Sequence, residues 1–237
     1  MEENKKLLEG YSDREKGAYL GAIASIATAD REASQEELEY ISTLCDAADL
    51  SESQKNSVVR AANELSGKEL TQCLDILKNS ELKYSLITDL MAFAKADNKY
   101  SEEEEENVQK IAEYVGVNQH QFSLLDQFAE KATTTEVPIQ EEEQPGFLSS
   151  LGLKDKLQNA GISGSSLLNG LIGIAGPMIL GGMLSRGLGG RRTTGGFGGS
   201  MLGGGGLGSL IGMLSGGRGF GNTGGMLGRV LGRGGHF

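Results

Sequence analysis

Apolar residues in the first part of the chain, residues 1–132, recur at steps of three and four. Ile23 and Ile26 follow this spacing in one segment, and Leu86 and Leu90 follow it in another. Such steps place apolar side chains on one face of an α-helix, whereas a half-buried strand would alternate every second residue. The pattern therefore predicts an all-α domain.

Helix starts are marked by Ser followed three residues later by Glu or Gln, a pair that can cap two free backbone amides reciprocally. The pairs with this spacing are Ser12/Glu15, Ser34/Glu37, Ser51/Gln54, Ser66/Glu69 and Ser101/Glu104. Gly116 is a natural left-handed terminator. Together these signals predict seven short helices, at about 13–29, 35–48, 52–65, 67–79, 81–96, 102–115 and 119–131.

The helical part contains an internal repeat, which appears when the chain is compared with itself at an offset of 67 residues without gaps. The identities are Ala27/Ala94, Ala29/Ala96, Asp30/Asp97, Ser34/Ser101, Glu36/Glu103, Glu37/Glu104 and Glu39/Glu106. We expect two helix-loop-helix units that pack about a pseudo-two-fold axis.

Composition divides the chain after the helical part. Residues 133–146 gather Thr, Glu and Pro and indicate an acidic linker, and residues 147–237 indicate a low-complexity tail. Of 37 glycines, 32 lie in the last 92 residues, where formal charge is about +7 against about −17 before them. Irregular glycine spacing excludes a collagen triple helix. The prediction is one globular domain, residues 1–132, followed by a tail that cannot build a second ordinary core.

Each repeat carries an acidic turn, with Asp30 or Asp97 at the end of one helix and glutamates in the first turn of the next. A carboxylate at a helix C-terminus is disfavoured by about 0.3–1 kcal/mol, which a cation would offset. The candidate oxygen ligands for Ca²⁺ or Mg²⁺ are Asp30, Glu36, Glu37, Asp97, Glu103 and Glu104. Helix capping alone explains the same glutamates, and the spacing fails the EF-hand pattern.

The duplicated pattern A-x-A-D-x-x-x-S-x-E-E, with the helical unit around it, resembles the TerB-like family, which is named for bacterial tellurite-resistance proteins. The resemblance covers about residues 10–131 and implies a seven-helix, internally duplicated fold with a divalent-cation surface on the six acidic residues. It also implies a module attached to other segments in membrane-associated or stress-related bacterial assemblies. The family offers no catalytic constellation that maps onto this chain.

The sequence contains none of the motifs that would indicate a metalloprotease, a redox enzyme or a hydrolase with a nucleophile elbow. His120 and His236 have no partner at a telling spacing, and Cys45 and Cys73 lie on apolar helical faces, where a small buried thiol is the common case. We therefore expect a protein without catalytic activity, without a small-molecule substrate, and without a cofactor other than a weakly held cation.

The tail contains an uncharged apolar segment, residues 167–185, of about the length that crosses a bilayer, although Pro177 and its glycines weaken a spanning helix. Membrane association by partial insertion and self-association in solution both fit this composition. The residues assigned to either contact are Ile172, Ile174, Ile179, Leu180, Arg186, Arg191 and Arg192.

The sequence thus predicts a non-enzymatic bacterial adaptor or scaffold in the cytoplasm, at the inner face of the membrane or assembled with copies of itself. The acidic run 102–106 is a candidate surface for a basic protein partner, and a solvated helix start is the alternative interpretation of the same run. A soluble self-assembling scaffold is the alternative. RNA binding through Arg-Gly pairs ranks third, because few aromatic residues accompany the arginines and the acidic domain repels a polyanion.

Overall fold

The computed structural model describes residues 6–27, 35–63, 67–95, 102–134 and 144–172. Within these ranges the chain forms ten helices and no strand, which confirms the all-α prediction. The helices are α1 (Asp13–Ala27), α2 (Gln35–Ala47), α3 (Glu52–Asn63), α4 (Lys68–Leu77), α5 (Leu82–Lys95), α6 (Glu102–Tyr114), α7 (Gln119–Thr134), α8 (Gln144–Ser150), α9 (Lys154–Asn159) and α10 (Gly164–Gly170).

The first seven helices follow the predicted repeat. Helix α2 starts at Gln35 and α6 at Glu102, and α3 starts at Glu52 and α7 at Gln119, so that both pairs keep the 67-residue offset. Helix α1 packs against α3 as α5 packs against α7. The units α1–α3 and α5–α7 are therefore structural equivalents, with α4 between them.

Both units end their second helix in the same way. Asp49, with φ 56°, and Gly116, with φ 82°, are equivalent residues in the left-handed conformation. In each case the next amide returns to a carbonyl five residues back, at 3.0 Å for Leu50 and 2.8 Å for Val117. These bonds satisfy carbonyls at the helix end, and the predicted terminator at Gly116 is confirmed.

Two capping boxes appear among the described residues. The Ser12 amide donates to Glu15 Oε2 at 3.0 Å and the Glu15 amide to Ser12 Oγ at 3.3 Å, as predicted. Asn118 and Gln121 form a second box, in which each backbone amide donates to the other side chain, at 3.1 and 2.9 Å. This box was not predicted, because Asn rather than Ser or Thr fills the capping position. Ser34, Ser66 and Ser101 lie outside the described residues.

The core lies around α1 and α5, which are the central helices of the two units. Tyr19 on α1 and Leu86 and Ile87 on α5 are fully buried. Helix α4 packs on α1, and α10 packs on α5. The second unit thus obtains a fourth helix from a part of the chain that follows it by about thirty residues.

Residues 144–172, here called the C-terminal extension, differ from their predicted state. The sequence assigns them to the end of the linker and the beginning of a low-complexity tail, but they form α8, α9 and α10 and join the common core. Their apolar residues, among them Leu148, Leu157 and Leu167, are buried, and only 5 of the 37 glycines fall here. Burial of these side chains against α5 and α7 outweighs the cost of ordering the few glycines in this segment, whereas the prediction rested on the glycine content of residues 147–237 as a whole. Among the described residues, no helix has the length and apolarity needed to span a membrane.

Candidate functional site

The two predicted acidic turns connect α1 to α2 and α5 to α6. Asp30 and Asp97 lie outside the described residues. Glu36 and Glu37 belong to the first turn of α2, and Glu103 and Glu104 belong to the first turn of α6, at equivalent positions of the repeat. The side chains of these four glutamates also lie outside the described part of the chain, so the helix starts are confirmed and the carboxylate geometry stays a prediction.

No group of three or more His, Cys, Asp or Glu side chains that could hold a metal occurs among the described residues, a set that omits both acidic turns. By their chemistry, carboxylate oxygens at the six predicted positions suit a hard divalent cation. The exposed glutamates Glu102, Glu105 and Glu106 extend an acidic surface along α6.

Both thiols are placed for packing. Cys45 is fully buried and Cys73 is half-buried, and burial raises the pKa of each to about 12. Since the thiolate is the reactive form, a thiol with so high a pKa is a poor nucleophile at neutral pH. His120 is exposed at the start of α7.

The domain holds the C-terminal extension through hydrogen bonds to its backbone. Among the described residues, side chains of the domain form these hydrogen bonds to backbone atoms of the extension. The donors to carbonyls are Lys131 to Leu151 at 2.6 Å, Gln121 to Ala160 at 2.9 Å, Tyr11 to Ser166 at 3.1 Å and Ser85 to Leu167 at 3.0 Å, and Asp89 accepts from the Ile172 amide at 2.9 Å. Contacts to backbone atoms fix the path of the extension without selecting its side chains.

Apolar packing accompanies these bonds. Phe147 of α8 meets Phe128 of α7 edge to face, with ring centroids 6.4 Å apart. Nearer the tail, four apolar residues of the extension are buried in the common core: Leu167, Leu168, Leu171 and Ile172. Burial of side chains of this size stabilises by about 1.5–3 kcal/mol each, so the extension is held chiefly by its leucines.

Gly170 makes the closest approach between α10 and α5. A Cβ atom at this position would overlap Ser85 Oγ and would lie 2.7 Å from Ser85 Cβ and 2.9 Å from Leu82 Cδ2. Glycine is therefore required here for the helices to meet. The surface of Tyr11, α1 and α5 that receives residues 167–172 is called the hexapeptide groove below.

The end of the groove is closed by a buried polar cluster. Asp89, which is 1 % exposed, accepts through Oδ2 from the Tyr19 hydroxyl at 2.6 Å as well as from the Ile172 amide. Burial and the negative charge of Asp89 raise the pKa of Tyr19 well above its ordinary value, so this hydroxyl keeps its proton and donates. The same two causes raise the pKa of Tyr40, whose buried hydroxyl has no hydrogen-bond partner among the described residues.

Ile172 is the one residue assigned to membrane contact or self-association that lies among the described residues. It is 2 % exposed and is held against the domain by its amide and its side chain. The remaining six lie outside the described residues: Ile174, Ile179, Leu180, Arg186, Arg191 and Arg192.

Sequence reasoning did not single out Asp89, Tyr19, Ser85 or Gly170. One signal was present, because Asp89 is a carboxylate on the otherwise apolar face of a predicted helix, and such a residue is buried only with partners. The partners of Asp89, namely Tyr19 and Ile172, lie in distant parts of the sequence, so no local pattern could identify them.

Comparison with known proteins identifies the domain. Residues 16–127 match the family model described as tellurite resistance protein TerB. Searches of curated proteins and of solved structures gave no match. The matched range runs from the first turn of α1 into α7, so that it covers both repeat units and leaves the extension and the tail outside. Residues 16–127 of this chain therefore form a domain of the TerB-like family.

Proposed function

We propose that this chain is a non-enzymatic adaptor, in which the TerB-like domain holds the base of the glycine-rich tail and the tail attaches the domain to a membrane surface. The observation that carries the proposal is the burial of residues 167–172 with the Ile172 amide bound to Asp89. This contact fixes the C-terminal end of the described chain against the domain.

The number of apolar residues that are not held by the domain favours attachment to the membrane surface over a transmembrane helix. The predicted apolar segment is 167–185, and its first six residues are held by the domain, which leaves the thirteen residues 173–185. A transmembrane helix needs about 20 apolar residues. Arg186, Arg191 and Arg192 follow directly and would contact anionic headgroups at the surface, each contributing about 1 kcal/mol.

The charge distribution supports an orientation for the adaptor. Residues 1–145 carry about −17 and are repelled by an anionic membrane, whereas the tail carries about +7. The acidic surface that includes Glu102, Glu105 and Glu106 would then face the cytoplasm, where a basic protein partner could bind it. The buried thiols and the missing catalytic motifs support a role without catalysis. The family resemblance supports a role for the proposed adaptor in a bacterial stress response.

A second part of the proposal concerns the acidic turns. Asp30 and Asp97, with Glu36, Glu37, Glu103 and Glu104, would form a weak Ca²⁺ or Mg²⁺ surface on the domain. The equivalent starts of α2 and α6 support it, because they place glutamates in the first turn after each aspartate.

Co-sedimentation of the full chain with anionic liposomes tests the membrane proposal. One variant replaces Ile174, Ile179 and Leu180 with Ser and leaves Ile172 intact, because Ile172 belongs to the fold. A second replaces Arg186, Arg191 and Arg192 with Gln. We expect the Ser variant to lose pelleting and the Gln variant to lose it in part, with the largest deficit from the wild type at low salt, where the arginine charges are least screened.

Controls without lipid separate attachment from assembly. Pelleting that persists without liposomes would favour the alternative, a soluble self-assembling scaffold. A Ser variant that pellets like the wild type, with a Gln variant that stays in solution, would contradict apolar attachment and favour recognition of a polyanion.

A further inference from the structure

A cavity of about 450 Å³ lies where the C-terminal extension meets the start of α5. Residues of α8, α9, α10 and the turn between α9 and α10 line it, together with Glu81 of the domain. Its volume falls within the range of about 300–1,000 Å³ that is typical of small-molecule sites. The lining has a buried apolar part and an exposed polar part, and together they define the chemistry of a ligand that fits.

Leu148, Ile162 and Leu168 form the apolar part, and all three are buried in the common core. Gly161, with φ 75°, ends α9, and the Ile162 amide then donates to a carbonyl five residues back at 2.9 Å. This turn directs the chain from α9 into α10. Gly164 lies against Leu148, where a Cβ atom would overlap the leucine side chain. The apolar part of the cavity is therefore fixed by the fold of the extension.

Two side chains of opposite charge, Glu81 and Lys154, lie at the rim of the cavity, and both are exposed. In the described part of the chain, neither side chain forms a hydrogen bond or an ion pair. Gln158 lies one helical turn after Lys154 on α9 and adds an amide that can both donate and accept. The carboxylate and the ammonium at the rim are thus both free to contact a ligand.

The two charges distinguish between classes of ligand. Lys154 attracts an anion that Glu81 repels, and the reverse holds for a cation, whereas a zwitterion gains from both residues. A primary ammonium can donate hydrogen bonds to the Glu81 carboxylate, and such charge-assisted bonds are about twice as strong as neutral ones. A quaternary ammonium has no N–H group to donate. The lining therefore favours a ligand with a primary ammonium, an anionic group and an apolar portion.

The position of the cavity in the chain indicates the source of such a ligand. The extension carries Lys154 and Lys156 against Asp155, whereas residues 1–145 carry about −17. A membrane with anionic lipids does not repel the extension as it repels the domain. The chain continues from Ile172, at the end of this extension, into the segment to which the adaptor proposal assigns membrane attachment. The cavity therefore belongs to the part of the protein that this proposal brings to the lipid.

We propose that the cavity binds the head of a phosphoethanolamine lipid. The ammonium of the lipid donates to Glu81, and its phosphate accepts from Lys154. The glycerol and the first methylenes of the acyl chains pack on Leu148, Ile162 and Leu168. This inference rests on the proposed adaptor function, because it names the class of lipid that the adaptor recognises, but the contacts can be measured without a membrane.

Isothermal titration calorimetry of the full chain with short-chain lipids below their micelle concentration tests the cavity. The probes are dihexanoyl phosphatidylethanolamine, the corresponding phosphatidylcholine and phosphatidylglycerol, and free phosphoethanolamine. The ethanolamine lipid should bind most tightly, because choline lacks N–H donors, the glycerol head lacks the cation and the free headgroup lacks the apolar portion. Equal binding of the three lipids, or no binding of the ethanolamine lipid at millimolar concentration, would overturn the proposal. Free phosphoethanolamine that binds as tightly as the lipid would overturn the lipid as the ligand.

Two lysines of α9 provide a matched pair of variants. Lys154→Gln should weaken binding of the ethanolamine lipid by roughly tenfold, the loss expected for a charge-assisted hydrogen bond. Lys156→Gln removes the same charge from an exposed residue outside the lining and should change the affinity by less than about twofold. Equal losses in the two variants would contradict a defined site. Glu81→Gln should remove the preference for the ethanolamine over the glycerol lipid, a change of selectivity that a loss of stability does not produce.

Two further measurements locate the site and separate it from the adaptor function. Hydrogen exchange of the full chain should slow at residues 158–165 when the ethanolamine lipid is added, and slowing only at other residues would overturn the cavity as the site. Pelleting with vesicles of phosphatidylglycerol and phosphatidylcholine, which lack ethanolamine, reports attachment through the tail. A wild type that binds the short-chain lipid without pelleting refutes the adaptor and supports the cavity, whereas pelleting without lipid binding refutes the cavity alone.

Discussion

Two buried tyrosine hydroxyls near Asp89 should respond in opposite ways to the same substitution. Tyr19 donates to Asp89 at 2.6 Å in a fully buried cluster, whereas the Tyr40 hydroxyl has no partner among the described residues. Both tyrosines are buried, Tyr19 completely and Tyr40 to 8 % exposure. Tyr→Phe removes one oxygen and preserves the ring, so the pair compares a bonded with an unbonded hydroxyl in one protein.

The expected loss of stability in Tyr19→Phe depends on the charge of Asp89, which accepts the hydrogen bond. A hydrogen bond to a charged group stabilises by about 1.5–3 kcal/mol, and Tyr19→Phe removes such a bond from a buried carboxylate. For a folded unit of this size, each kcal/mol shifts the melting temperature by about 2–4 °C, so the loss should be roughly 3–12 °C. Tyr40→Phe removes a desolvated hydroxyl and should leave stability unchanged or raise it by up to about 1 kcal/mol.

Urea and thermal unfolding of the full chain, followed by circular dichroism, measure both changes. Hydrogen exchange at Ile172 adds a local readout, since Tyr19→Phe loosens the carboxylate that holds this amide and should accelerate its exchange. The reasoning is refuted if Tyr40→Phe destabilises the protein as much as Tyr19→Phe does, or if both variants are neutral.

Three further predictions concern the domain. The Ser12 and Ser80 hydroxyls hold the pKa of Glu15 below its ordinary value, so its stabilising contribution is present above the unfolded-state pKa and is lost as pH falls through the lower folded-state pKa. Glu15→Gln should accordingly lower the melting temperature at neutral pH and converge with the wild type in acid, an effect kept small by solvent, and parallel curves would contradict it. Gly116→Ala forces a side chain into φ 82° and should destabilise by about 1–2 kcal/mol in urea unfolding, whereas Gly146→Ala, in open space within α8, should be neutral or slightly stabilising. Calcium should raise the melting temperature of the wild type, and Asp30→Asn with Asp97→Asn should abolish the rise; no response of the wild type to millimolar calcium or magnesium would reduce the turns to capping devices.

The sequence was sufficient for the first seven helices because their signals are local. Apolar spacing, a capping pair such as Ser12/Glu15 and a terminator such as Gly116 each act within one or two helical turns. The 67-residue repeat then required equivalent helices in equivalent places, and the starts at Gln35 and Glu102 confirm it. The helix positions and the repeat could therefore be predicted from the sequence without knowledge of any tertiary contact.

The extension could not be predicted in the same way. The hydrogen bonds described above between domain side chains and the extension join residues separated by 20 to 155 positions, from Lys131 with Leu151 to Tyr11 with Ser166. Each bond uses a backbone atom of the extension, so the side chains that carry sequence information take no part in it. Glycine also indicates two different things in this part of the chain. Gly170 is required by a close contact between helices, whereas many glycines together are typical of a low-complexity segment such as the tail.

The extension and the repeat together give each unit a covering helix. The first unit is completed by α4, which packs on α1, and the second unit is completed by α10, which packs on α5. The family match ends at residue 127, before this last helix, so the chain supplies from its own continuation the cover that the second unit needs. Because α10 ends at Gly170 and Ile172 is bound to Asp89, the C-terminal end of the described chain is connected directly to α5. Asp89 also binds Tyr19 of α1, which extends the connection to the central helix of the first unit. In the adaptor that we propose, attachment through the tail would act through Ile172 and Asp89 on both units of the domain.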